Sequence, residues 1–85
     1  MFVKAMIPKG TEYVASFNDT PYQTEQVYYT TVEVDESDIN DAYWIKHLAK
    51  ENLIKRIAQR EFLNIRYWKS IWLDIVDIQI IRTEN

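Results

Sequence analysis

The chain has no cysteine, a single glycine and only two prolines. The absence of cysteine excludes disulfide staples, thiolate metal sites and cysteine nucleophiles, and it fits a reducing compartment. A lone glycine, Gly10, excludes the glycine-rich loops that cradle phosphates. With so little glycine and proline there is no flexible linker and no low-complexity tract. Nowhere do apolar residues run uncharged for the roughly 18 positions that a membrane-spanning helix needs. The first ten residues are interrupted by Lys4 and Lys9, which breaks the apolar stretch of a signal peptide. The expected location is the cytoplasm, with no membrane partner. One histidine, His47, cannot build a histidine-rich zinc site. No cofactor and no metal are expected.

What is present is a folding chain. Hydrophobic residues make up 47% and charged residues 27%, which is the balance of a globular protein rather than a disordered one. A length of 85 residues suits one domain, 1–85, with a small core and little room for a deep cofactor cavity. Net charge is −3, so the chain as a whole does not favour nucleic acid. Six tyrosines, three tryptophans and three phenylalanines must supply either core volume or an adhesive surface.

Periodicity predicts the elements. Residues 2–7 (FVKAMI) read as a strand, Pro8-Lys9-Gly10 as a turn, and residues 11–17 (TEYVASF) as the second arm of a hairpin. Residues 18–26 (NDTPYQTEQ) read as a loop opened by Asn-Asp and held out of any ladder by Pro21. In 27–34 (VYYTTVEV) Tyr29, Thr31 and Glu33 point one way, and Tyr28, Thr30, Val32 and Val34 the other. Asp35 or Ser37 can cap a helix that starts near Ile39 and runs to about Arg60. Its core face carries Ile45, Leu48, Ala49, Leu53 and Ile57. Between Glu61 and Leu73 no stop signal fixes the helix end. Residues 74–82 (DIVDIQIIR) read as a last strand with Val76, Ile78 and Ile80 inward. The expected fold is α+β: a small antiparallel sheet in the chain order β-β-β-α-β, with one long amphipathic helix packed on one face. The expected core is Val3, Ala5, Ile7, Val32, Ile45, Leu48, Leu53, Ile57, Val76, Ile78 and Ile80.

The segment Ile7-Pro8-Lys9-Gly10-Thr11-Glu12-Tyr13 resembles a hairpin opening found in small phage and prophage proteins of unassigned function. The strand, the capped charged helix and the terminal strand that follow are similar in layout. The resemblance implies a small accessory protein of a mobile element, of the kind that binds a host factor and blocks it.

Three side-chain groups are candidates for function. Glu33, Asp35, Glu36, Asp38 and Asp41 form an acidic run with no basic residue inside it. An EF-type calcium loop starting at Asp35 fails, because Ile39 falls where a ligand is needed and Asn40 where glycine is needed. What remains is helix capping or an anionic surface for a partner. Lys46, Lys50, Lys55, Arg56, Arg60, Arg66 and Lys69 are seven of the ten basic residues, with only Glu51 and Glu61 among them. Aromatics lie close by, and the pairing of cations with rings is what a nucleic-acid binder needs. At helical spacing the cations spread around the axis rather than forming one stripe, as they do on a solvated face. Trp68 and Trp72 share a face whether the segment is helix or strand, so they pack in the core or stand out as an anchor pair. Tyr22 and Tyr29 could extend that surface.

His47 lies between Lys46 and Lys50 in a helix, and nothing resembles a nucleophile elbow or an oxyanion loop. The sequence therefore points to a non-enzymatic protein-interaction module. Its contacts would be the acidic run with Tyr22, Tyr29, Trp68 and Trp72, and reversing the acids should weaken partner binding. A second reading is nucleic-acid binding through Lys50, Lys55, Arg56, Arg60 and Arg66. A third is a homo-oligomeric structural subunit that assembles through free sheet edges.

Overall fold

The computed structural model describes residues 1–81 and is α+β. Two small antiparallel sheets pack against one long helix. The first sheet has the strand order β4-β1-β6, from β1 (Phe2–Ile7), β4 (Tyr28–Glu33) and β6 (Gln79–Ile81). The second has the order β3-β2-β5, from β2 (Glu12–Ala15), β3 (Thr20–Gln23) and β5 (Ile71–Trp72). The helix α1 spans Ala42–Glu61. The molecule is 41 Å long and 20 Å across.

The expected hairpin at Pro8-Lys9-Gly10 does not form. β1 pairs with β4 and β6, whereas β2 pairs with β3 and β5. The turn hands the chain from one sheet to the other. The Thr11 N–H donates to the Pro8 carbonyl at 3.2 Å, and Gly10 sits at φ 85°. That is the third position of a type II turn, where a side chain is strained. The buried Thr24 clamps the turn from below: its hydroxyl donates to the Pro8 carbonyl at 2.9 Å and accepts from the Thr11 N–H at 3.0 Å. A Cβ on Gly10 would meet open space, so the penalty of Gly10→Ala is conformational alone. We expect a loss of about 1 kcal/mol in urea denaturation, with the slope unchanged.

The region read as a loop contains β3. Pro21 is tolerated because β3 is an edge strand, where a missing N–H faces away from the partner Val14. The helix also starts later than expected. Asp35 precedes a short 3-10 turn (Glu36–Asp38), and the true cap of α1 is Asp41, whose carboxylate accepts from the Trp44 N–H at 3.0 Å. Rows of side chains four apart, Ile45-Ala49-Leu53-Ile57 and Ile54-Ala58, bury one broad face of α1. Leu48 is only half-buried at its margin. After Phe62 the chain turns through Leu63 at φ 54°, and the Asn64 N–H bonds back to the Ala58 carbonyl. A 3-10 segment (Ile65–Ser70) then runs back along the helix into β5.

The last expected strand is interrupted. Asp74 caps a 3-10 turn (Ile75–Asp77) through the Val76 N–H, which swings Val76 out to 71% exposure instead of into the core. Ile78 is buried and Ile80 half-buried, as the alternation requires. The strand's expected last residue, Arg82, lies outside the described residues. Among the described residues no helix is long and apolar enough to cross a membrane.

Candidate functional site

Several places among the described residues gather polar or aromatic side chains. The most deeply built is at the C-terminal end of α1. Tyr13 of β2 and Tyr28 of β4 are both buried, and both phenols donate to the carboxylate of Glu61, Tyr13 at 2.8 Å. The Glu25 N–H donates to the same carboxylate at 3.3 Å. Glu61 thus ties one strand from each sheet to the end of the helix. Burial pushes both phenols well above the usual tyrosine range, and the hydrogen bond to Glu61 and its negative charge push the same way. Both tyrosines therefore keep their protons well beyond neutral pH and donate them to Glu61.

Over this cluster lies a layer of rings. Tyr22 stacks on Tyr13 with centroids 5.4 Å apart, and Phe62 meets both edge-on. Phe62 also holds Phe17 and Tyr67, which contact each other at 5.4 Å. Phe17 is 52% exposed, Tyr67 43% and the adjoining Leu63 84%. Each outer ring rests on an inner one, which sets its orientation and leaves a largely aromatic surface.

A groove runs between β4 and α1. It is lined by Tyr29, Thr30 and Thr31 on the strand and by Asn52, Lys55 and Arg56 on the helix, and it encloses about 600 Å³. An adjoining hollow of about 460 Å³ adds Arg60 and Gln59. The expected basic set is thereby divided. Lys55, Arg56 and Arg60 border the groove, Lys50 lies with His47 and Trp68 in a separate depression, and Arg66 is exposed on the 3-10 segment.

The acidic run stays together at the opposite end. Glu33, Asp35, Glu36 and Asp41 are exposed, Asp38 is half-buried, and Asp41 is engaged as the helix cap. Among the described residues no three acidic or histidine side chains come together as a metal site. A helix of this length separates the acids from the ring layer by roughly 30 Å. The two tryptophans also part. Trp68 is half-buried with the Lys55 and Lys69 ammoniums 4.8 and 5.9 Å from its ring, whereas Trp72 is exposed in β5 beside Asp74 and Asp77. The expected anchor pair does not exist, because the change from 3-10 helix to strand between them turns the side chains apart. Tyr22 belongs to the ring layer and Tyr29 to the basic groove, so the expected acidic and aromatic contacts are spread over several faces.

Comparison with protein-family models, with curated proteins and with solved structures finds no match. The site's own geometry is therefore what bears on function. His47 packs against Tyr43 and Trp44, at 6.3 and 6.0 Å between ring centres, on the exposed start of α1. Glu61 and Leu63 were not singled out from the sequence. Glu61 looks like one surface acid among helix charges, and its partners are 48 and 33 residues away. The available signal was indirect: Tyr13 and Tyr28 fall on buried faces of their strands, and a buried phenol needs an acceptor.

Proposed function

We propose that this protein is a non-enzymatic protein-interaction module whose binding face is the ring layer at the C-terminal end of α1. The observation that carries this reading is Leu63. It is an apolar side chain, 84% exposed, on a backbone of φ 54° that glycine or asparagine would occupy at lower cost. Neither burial nor local conformation favours leucine there, and strained exposed positions of this kind gather at binding sites. Phe17 and Tyr67 supply aromatic anchors around Phe62, the residue before Leu63, and Phe62 pre-orders them, so little side-chain entropy is lost on docking. The partner is a protein that offers an apolar pocket. The mobile-element reading makes that partner a host factor.

Leu63→Asn separates fold from function. It should leave stability unchanged or raise it by up to about 1 kcal/mol, because asparagine tolerates the left-handed conformation. It should also weaken partner capture. The check is a tagged pull-down from bacterial lysate, with and without nuclease, comparing wild type with Leu63→Asn and Tyr67→Ala. A protein retained by wild type under nuclease and lost with both variants supports the reading. Equal capture by all three sinks it, and capture that collapses with nuclease transfers function to nucleic acid.

A further inference from the structure

The outer edge of β4 is open. The Met1 and Val34 backbones exchange both hydrogen bonds, Met1 N–H to Val34 O at 2.9 Å and Val34 N–H to Met1 O at 2.8 Å. In an antiparallel ladder such pairs alternate with pairs that turn their groups outward. With Val34 bonded to β1, the register places Val32, Thr30 and Tyr28 in bonded positions as well. Tyr29, Thr31 and Glu33 then turn their N–H and C=O groups away from β1, and among the described residues no strand lies on that side. Those same three residues are the exposed ones of the strand.

This edge is bordered by positive charge. Arg56 and Arg60 line the α1 side, and among the described residues neither has an ion-pair partner, whereas the Lys55 ammonium is held by Glu51 at 3.7 Å and by the Trp68 ring. On the sheet's other face the Lys4 ammonium lies 4.5 Å from the centre of the Tyr29 ring. Charge thus reaches the edge from both faces at its Tyr29 end, while Glu33 makes the other end negative.

We propose that β4 accepts an extended acidic segment of a partner protein as an added strand. Main-chain bonds to Tyr29, Thr31 and Glu33 hold it, and its carboxylates lie at the Tyr29 end against Arg56, Arg60 and Lys4.

The test uses the full chain and fluorescence anisotropy with three probes: a short peptide of alternating threonine and glutamate, the same peptide with lysine for glutamate, and an oligothymidylate. Binding of the glutamate peptide but not the lysine peptide is expected. Thr31→Pro should weaken it about tenfold or more, since it removes an outward N–H without touching the β1 ladder. The double variant Arg56→Glu, Arg60→Glu should abolish it. Amide exchange gives a second measurement that needs no variant: the peptide should protect Tyr29, Thr31 and Glu33. No binding of the glutamate peptide, no protection at those three amides, or tighter binding of the oligothymidylate would each overturn the proposal. None of these outcomes bears on Leu63, so the ring-layer reading stands or falls separately.

Discussion

Glu61→Ala should lower the stability of the fold by about 3–4 kcal/mol, more than any surface substitution of a charged residue is expected to do. The carboxylate accepts from the buried phenols of Tyr13 and Tyr28, and truncation orphans both. A buried donor left without a partner costs about 1–3 kcal/mol, and here there are two. A chain of this size has roughly 4–12 kcal/mol in total, so the variant should unfold at markedly lower urea. Removing the hydroxyls instead is milder: Tyr13→Phe or Tyr28→Phe should each cost about 1 kcal/mol. The triple variant that combines both with Glu61→Ala should be more stable than Glu61→Ala alone, because no hydroxyl is then stranded. If Glu61→Ala lost no more than about 0.5 kcal/mol, the cluster would not join the two sheets energetically.

That cluster marks where the sequence stopped being legible. Local patterns carried far: the alternation in β4 named its inward and outward residues, and the four-residue rows gave the buried face of α1. Long-range pairing did not follow. A Pro-x-Gly between two strands predicts a hairpin, but the same turn can pass the chain between sheets, and only the register decides. Pro21 concealed β3 because proline is excluded from central strands and not from edges. Val76 fell out of phase because a 3-10 turn shifts the two-residue period of a strand. The candidate surface was harder still. Ile45, Leu53 and Phe62 look alike in composition, and only the end of α1 at Glu61 makes Phe62 part of a half-open ring layer.

High pH should unfold the protein through the same two tyrosines. In the unfolded chain a phenol titrates near pH 10. In the fold both are pushed well above that range, chiefly by burial and then by Glu61. Below pH 10 both states keep the protons, so the stability these groups provide is fully present. Above pH 10 the unfolded chain releases protons that the fold retains, and stability falls as pH rises toward the raised values. The slope approaches about 1.4 kcal/mol per pH unit for each tyrosine, so the pair could consume most of the fold's stability within a few units. Tyr13→Phe with Tyr28→Phe should flatten this dependence while lowering stability at neutral pH, two effects of opposite consequence above pH 10. Urea titrations from pH 8 to 12 on wild type and the double variant make the comparison. Parallel curves for the two proteins would show that the phenols ionise alike in both states, and the hydrogen bonds to Glu61 would then not hold the protons in place.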